Sequence, residues 1–199
     1  MEKRNNMSSI KSRIFAYIID MCIVSIIFIL FSSIVPERRN YNELNNELEE
    51  VTQQFVDGKL ELDVFINRQA EITQDIDKEN VFLNVMQAML IIGYFIVLPY
   101  CMDGKTIGKK MMKIKIVSTD GELEYNNLII RALLINGLGY ILILLGCVYI
   151  LPSVAYSFLT MFLSALEIII LIVSLIKMKK NEDHEGLHDA LAHTKVIEI

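Results

Sequence analysis

The sequence predicts an all-α integral membrane protein with four transmembrane helices and both termini on the cytoplasmic side. Apolar residues are concentrated in four long runs, and charged residues are concentrated between them. A helix needs about 20 residues to cross roughly 30 Å of hydrocarbon. Runs long enough lie at 14–35, 81–100, 128–151 and 154–176. We therefore expect a multi-pass protein of the cell membrane, with the lipid bilayer as its first partner.

The overall composition supports this prediction only weakly. The chain is 53% hydrophobic and 22% charged, whereas soluble domains average roughly 45–50% apolar and about 25% charged. The net charge is −5, and no basic stripe alternates with aromatic residues, so we expect no nucleic-acid partner. The three cysteines are far apart and form no C-x-x-C pair, which argues against a disulfide framework or a thiolate metal site.

The flanks of each run support its assignment. The first run follows a basic start, as a signal peptide would, but it is longer than the 7–15 residues of a signal core and contains Asp20. We expect a retained anchor. Pro99 lies near the end of the second run, where a helix can terminate. Only the turn around Pro152 separates the third and fourth runs, so we predict that they form an antiparallel pair.

The basic residues predict which side of the membrane each segment faces, because Lys and Arg are enriched in short cytoplasmic segments. Three segments carry them: Lys3, Arg4, Lys11 and Arg13 before the first run; Lys105, Lys109, Lys110, Lys113 and Lys115 between the second and third; Lys177, Lys179, Lys180 and Lys195 after the fourth. The segment between the first two runs instead holds twelve Asp and Glu against five Lys and Arg. The predicted topology is N-in, C-in.

The acidic segment at 37–80 is predicted to be an extracytoplasmic helical hairpin. Apolar residues recur at helical spacing on both sides of the Asp57-Gly58 turn. They are Leu44, Leu48, Val51 and Phe55 before the turn and Leu62, Phe65, Ile72 and Ile76 after it. The hairpin is either a docking arm or a solvated spacer whose apolar stripes pack together.

Between the second and third runs we predict a small cytoplasmic β-hairpin. Residues 113–118 alternate between polar and apolar side chains, Asp120-Gly121 follows, and 122–125 continue beyond it. Short strand-forming runs around an Asp-Gly pair are typical of a hairpin.

Three ionisable residues lie inside the apolar runs, namely Asp20, Arg131 and Glu167. A charge at the centre of a membrane helix costs about 2.5–3.5 kcal/mol on insertion scales, so such residues are functional candidates. Arg131 enters its run from the cytoplasmic side, and its guanidinium can bond a carboxylate bidentately, so we predict that it contacts Asp20. This pair either stabilises the bundle or takes part in transport.

The fourth run also carries a polar stripe at helical spacing, composed of Ser153, Ser157, Thr160, Ser164, Glu167 and Ser174. Asn136 lies at comparable depth on the third run. One interpretation is a hydrated path, and the other is close packing of helices through small side chains. The candidate transport layer consists of Asp20, Arg131, Glu167 and Asn136.

Two local motifs carry no function in our interpretation. The segment from His184 to His188 matches the zinc motif H-E-x-x-H, but Gly186 weakens the helix that the motif needs. Gly104-Lys105-Thr106 lacks the first glycine of a phosphate loop, because Pro99 occupies that position. We expect no metal, no cofactor and no enzymatic activity.

Three stretches together resemble the RDD family of bacterial membrane proteins. The first runs from Ser12 to Asp20 and has an arginine at the start of the first helix and an aspartate within it. The second resembles the family's G-x-T-x-G-K core with its following turn and helix arginine, and the third resembles its L-H-D-x-L-A-x-T ending. The signature residues are Arg13, Asp20, Gly104, Thr106, Gly108, Lys109, Arg131, His188 and Asp189.

The resemblance implies that the residues for which the family is named correspond to Arg13, Asp20 and Asp189, within a single membrane domain at 1–199. The hairpin at 37–80 is an insertion relative to the family pattern, and Glu167 lies outside that pattern. We expect Asp189 to lie outside the hydrocarbon and to bond Arg13, or else to cap the short helix that it begins.

The resemblance implies transport of unknown ligands, with cation/proton antiport attributed to some members. We therefore expect transport of an unidentified small solute or ion, coupled to protons through the intramembrane carboxylates. Four helices are few for a pathway, so a homo-oligomer is expected. The alternative is a non-transporting membrane scaffold or stress-response partner that uses its two hairpins as docking surfaces.

Overall fold

The structure is a computed structural model that describes residues 7–35, 40–181 and 183–199. Its helices are α1 (Ile10–Ser32), α2 (Tyr41–Val56), α3 (Leu62–Glu79), α4 (Val81–Cys101), α5 (Ile107–Met111), α6 (Tyr125–Ile135), α7 (Leu138–Cys147), α8 (Ser153–Lys180) and α9 (Leu187–Leu191). Its two strands are β1 (Ile114–Ser118) and β2 (Thr194–Glu198). The basic residues Lys3 and Arg4, and the start of the predicted hairpin at 37–39, lie outside the described residues.

Three of the described helices, α1, α4 and α8, are long and apolar enough to cross a membrane. Their outer surfaces carry large apolar side chains, such as Leu30 on α1 and Phe162 on α8, which are 63% and 64% exposed. Exposed apolar surface of this extent is typical of contact with lipid. These helices correspond to the first, second and fourth predicted spans.

The third predicted span is not one straight helix. Helices α6 and α7 meet at 75°, so the pair is a broken span or a re-entrant loop. The break falls at Asn136-Gly137, where Gly137 has φ +76° and caps α7. A left-handed residue ends a right-handed helix, and glycine adopts that conformation without a steric penalty. The structure thus has three candidate spans in its described part, or four if the bent pair counts as one.

The predicted two-helix hairpin between the first and second spans is present as α2 and α3. The rings of Phe55 and Phe65 stack across it with centroids 4.2 Å apart. Its base is fixed to the turn between α7 and α8, because the Gln74 amide donates to the Val148 and Leu151 carbonyls, both at 2.8 Å. Tyr156 of α8 also donates to Asp77 at 2.8 Å.

The small sheet differs from the predicted local β-hairpin. Strand β1 pairs antiparallel with the distant strand β2, from Ile114 opposite Glu198 to Ser118 opposite Thr194. Residues after Asp120-Gly121 form no strand and lead into α6 instead. The prediction of a hairpin was wrong, because the partner of β1 is the distant strand β2, whose Val196 and Ile197 are buried.

The main core joins this sheet to the inner ends of the long helices. Ile114 and Val196 of the sheet pack in one buried cluster with Ala16 of α1, Phe95 of α4 and Leu128 of α6. Met7 forms an isolated antiparallel bridge with Ile197, so the chain just before α1 lies beside the same sheet. The candidate site is built around this junction.

Candidate functional site

Two fully buried carboxylates, Asp20 and Asp189, lie at the junction of the sheet with the helices, and each is 0% exposed. A buried carboxylate is stable only when positive charges and hydrogen-bond donors surround it. The structure provides a separate set of partners for each one. The two sets include seven of the nine signature residues, and Gly104 and His188 lie beside them.

Asp189 is held by two arginines from different helices. Arg13 Nη1 donates to Asp189 Oδ2 at 2.9 Å, and Arg131 Nη1 donates to Asp189 Oδ1. The Gly186 N–H also donates to Oδ2 at 3.0 Å, which caps α9. The predicted contact with Arg13 is therefore present. The predicted N-cap role is not, because the helix begins two residues earlier at Leu187, and Asp189 accepts the Gly186 N–H from within its first turn. Burial opposes ionisation here, but the charges of Arg131 and Arg13 outweigh it and hold the pKa of Asp189 below its usual range.

The same arginines extend the network to the sheet and the start of the chain. Arg13 Nε donates to Ser8 Oγ at 2.8 Å, and its Nη2 donates to the Val196 carbonyl at 3.0 Å. Arg131 Nη1 also donates to Thr194 Oγ1 at 2.7 Å. One ionic cluster therefore joins α1, α6, α9 and β2.

His188 lies beside this cluster and is bonded to α8. Its Nδ1 shares a hydrogen bond of 2.7 Å with Ser174 of α8, and burial together with the charge of Arg131 lowers its pKa to about 3. His188 is therefore neutral at pH 7. The H-E-x-x-H segment is not one helix, since α9 begins at Leu187 and His184 has φ +51°. No cluster of three or more potential metal ligands occurs among the described residues.

Asp20 accepts hydrogen bonds from three donors. They are Tyr94 Oη at 2.7 Å, Thr106 Oγ1 at 2.5 Å and the Gly108 N–H at 2.7 Å. Lys109 Nζ is 3.6 Å from the carboxylate. Burial and the charge of Arg131 lower the pKa of Lys109 to about 8, although Asp20 raises it. The G-x-T-x-G-K core thus forms a cradle for the aspartate of the first helix.

The glycines of that core are explained by close backbone approach. A Cβ at Gly108 would overlap the Ala16 carbonyl oxygen and the Asp20 carboxylate of α1. Gly104 has φ +77°, and a Cβ there would overlap the Ile116 carbonyl oxygen of β1. Glycine alone lets α5 lie directly against α1 and the sheet.

The predicted contact between Asp20 and Arg131 is wrong. Arg131 bonds Asp189 and Thr194, and Asp20 bonds the residues around α5. Two carboxylates and three cations enter the junction, and sequence depth alone does not decide how they pair. Tyr94 was missed by the sequence analysis, and the only signal for it is an aromatic hydroxyl in an apolar run.

The other two candidates, Glu167 and Asn136, line a cavity of about 340 Å³. Glu167 Oε1 lies 3.8 Å from the Cβ position of Gly137, so the carboxylate faces the break between α6 and α7. The predicted four-residue layer is therefore divided. Asp20 and Arg131 belong to the two ionic clusters, and Glu167 lines this cavity. Asn136 lies between them, since it also lines a smaller cavity together with Arg131.

Apolar helices of membrane-spanning length, joined by buried ion pairs at one end, define a helical membrane protein. A family model described as RDD family matches residues 7–193, and the chain belongs to that family. The resemblance noted from the signature residues is thus confirmed. Comparison with curated proteins and with solved structures gave no match.

Proposed function

We propose that this protein transports a small solute or ion across the cell membrane, with Glu167 as the carboxylate that binds and releases the proton or cation. The proposal rests on the burial of the Glu167 side chain and on its lack of hydrogen-bond partners in the described part of the chain. Glu167 is partly buried in the middle of α8 and makes no hydrogen bond or ion pair with any described residue. An unpaired carboxylate at this depth is costly unless it has a ligand or water.

The surroundings of Glu167 support this role. The cavity of about 340 Å³ is also lined by Tyr17, Asp77, Asn84 and Gln87. Helices that break inside a membrane expose backbone groups that transporters use to bind ions, and here the break at Gly137 faces the same cavity. Asp20 and Asp189, by contrast, already have several donors each and serve to hold the helices together.

A single cavity does not cross a bilayer, so we propose that copies of the chain assemble to complete the pathway. The test is flux in proteoliposomes that contain a pH-sensitive dye and an imposed Na⁺ or K⁺ gradient. Wild-type protein should change the internal pH faster than empty liposomes do. Glu167→Gln, which preserves shape, should abolish this effect.

Ser164→Ala is the matched control, because Ser164 is one turn away on α8, exposed, and bonded only to the Thr160 carbonyl. It should retain the wild-type flux. Equal rates for wild-type protein and empty liposomes under every gradient would refute transport of these ions. Unchanged flux in Glu167→Gln would remove Glu167 from the mechanism.

A scaffold is the second candidate, and the tip of the hairpin favours it. Val56 and Leu62 flank the Asp57-Gly58 turn and are 72% and 60% exposed. A photo-crosslinking residue at Leu62 should then capture one defined partner, whereas the same residue at the polar Glu49 should not. Absence of flux together with that capture would favour the scaffold.

A further inference from the structure

A second cavity, of about 190 Å³, lies beside the ionic clusters. Three cationic side chains line it, Arg13, Lys109 and Arg131, and so does the amide of Asn136. No Asp or Glu is among its described lining residues. The two carboxylates lie behind these cations and are fully buried. The cavity therefore presents positive charge to whatever enters it.

The charges near the cavity do not balance. By formal charge, Arg13, Lys109 and Arg131 carry three positive charges and Asp20 and Asp189 carry two negative ones, which leaves +1. His188 also lines the cavity and is neutral. A buried excess charge is unfavourable unless a counter-ion accompanies it. The imbalance thus indicates one anionic group.

Hydrogen-bond donors around the cavity are also incompletely used. Arg131 bonds only through Nη1, so its Nε–H and Nη2 hydrogens have no acceptor among the described residues. The Asn136 side chain is 9% exposed and likewise has no hydrogen-bond partner in the described part of the chain. Buried donors are nearly always paired in folded proteins. A planar guanidinium, an ammonium and an amide together suit the oxygens of a phosphate.

Most of the remaining lining residues are apolar, and several of them reach the lipid-facing surface. Ile14 of α1 and Leu171 and Leu175 of α8 line the cavity and are 40%, 39% and 38% exposed. An occupant can therefore place a charged group among the cations and an apolar tail against α1 and α8. Basic pockets between membrane helices on the cytoplasmic side bind acidic head groups in this way.

We propose that this cavity is a binding site for a phosphate group, supplied by an acidic phospholipid whose acyl chains lie against α1 and α8. The cavity adjoins the Glu167 cavity, with which it shares Tyr17, Ile135, Asn136 and Leu171, but the proposal does not depend on transport. The lipid phosphate provides the missing negative charge and accepts hydrogen bonds from Arg131, Lys109 and Asn136. Its role is to complete the charge balance of the junction between the helices and the sheet.

The test is native mass spectrometry of the detergent-solubilised protein titrated with phosphatidylglycerol, with phosphatidylcholine as the uncharged comparison. Wild-type protein should bind phosphatidylglycerol at least tenfold more tightly. Lys109→Met and Asn136→Leu should each weaken that binding about tenfold, the usual effect of losing a hydrogen bond to a charged group. Lys110→Met is the matched control, because it removes the same charge from the exposed neighbouring residue, and it should bind as the wild type does.

Inorganic phosphate distinguishes the two sources of the phosphate group. If millimolar phosphate displaces phosphatidylglycerol from wild-type protein but not from Lys109→Met, the site accepts free phosphate as well as lipid. Equal affinity for the two lipids would overturn the proposal. So would equal phosphatidylglycerol binding by the wild type and both cavity variants, provided that their helix content matches that of the wild type by circular dichroism.

Discussion

Asp189 is the residue on which the ionic cluster depends, because it is the shared counter-ion of two arginines that come from different helices. Arg13 and Arg131 are 9% and 8% exposed, so water does not replace a lost partner. Removing one member of a buried ion pair typically costs about 3–5 kcal/mol, whereas exposed pairs contribute far less. The cluster is therefore expected to show strong energetic coupling.

We predict that Arg13→Gln and Asp189→Asn are not additive. Each single change leaves a buried charge with less compensation, while the double change removes one charge of each sign. The coupling energy should exceed about 1 kcal/mol in a double-mutant cycle of unfolding in mixed micelles. The exposed pair Arg68–Glu47 is the control and should couple by less than about 1 kcal/mol. Additive effects at the buried pair would contradict the shared counter-ion.

The lowered pKa of His188 leads us to predict that the stability of the folded protein depends on pH. That pKa is about 3 in the folded protein against 6.5 for an ordinary histidine. As the pH falls below about 6.5, the unfolded chain takes up a proton that the folded protein does not, so stability is lost between pH 6.5 and about 3. The slope approaches about 1.4 kcal/mol per pH unit.

His188→Asn isolates this contribution, because the Asn amide retains a partner for Ser174 but does not titrate. Thermal unfolding in detergent should show a lower Tm at pH 5 than at pH 7 for the wild type, and a smaller difference for the variant. A Tm difference that is the same in both proteins would assign the pH dependence to other groups.

Part of this site could be predicted from residues alone. Arg13, Asp20 and Arg131 stand out because a charge in or beside an apolar run is rare. The contact between Arg13 and Asp189 follows because both residues are expected near the same surface of the membrane. The partners of Asp20 do not follow in this way. Two of them, Tyr94 and the Gly108 N–H, are a hydroxyl and a backbone group, whose position depends on how α4 and α5 pack against α1.

At the scale of elements, α5 can pack directly against α1 because Gly108 has no side chain. The contact brings the helix backbone close enough to donate to Asp20, and Thr106 caps the same helix while donating to that carboxylate. The short helix thus has no stability of its own and depends on the aspartate.

We predict that Gly108→Ala destabilises the protein by about 1–3 kcal/mol, because its Cβ has no space between Ala16 and Asp20. Gly146→Ala is the matched control. Gly146 lies in α7 with nothing within 4 Å of its Cβ position, so alanine there should stabilise the helix by about 0.5–1 kcal/mol. Opposite signs are expected in thermal unfolding of the two variants. Equal effects would mean that α5 does not approach α1 closely.

The sequence predicted the helices with long hydrophobic runs correctly. It did not predict the break between α6 and α7 or the strand with which β1 pairs. Length and polarity suffice for α1, α4 and α8. The Asn136-Gly137 pair is a recognised turn signal, but it lies within an apolar run that is otherwise continuous. The partner of β1 is some 80 residues away, and alternation identifies a strand without identifying the strand that it pairs with.

At the scale of the whole molecule, the sheet limits the possible topologies. The Ser8 N–H donates to the Val196 carbonyl at 3.2 Å, and β1 pairs with β2, so residues before α1, between α4 and α6, and after α9 lie together. Segments that touch are on one side of the membrane. An even number of crossings must therefore separate them, and we expect the bent pair α6–α7 to cross once.

We predict that an impermeant amine label on intact cells modifies Lys59, at the tip of the hairpin, and does not modify Lys113, beside β1. The basic segments at the sheet should face the cytoplasm and the acidic hairpin should face outward. Lys113 should become reactive once the cells are permeabilised, which controls for its accessibility. Labelling of Lys113 in intact cells would reverse the orientation.

The position of β2 and Asp189 in the chain has a consequence for biosynthesis. Both follow the long apolar helices, so a ribosome delivers them only after α1, α6 and α8 have been made. Until then, Arg13 and Arg131 are without their counter-ion, and β1 is an unpaired edge. Until that segment is made, the nascent chain therefore lacks the ion pairs and the strand pairing that join α1 and α6 to the sheet.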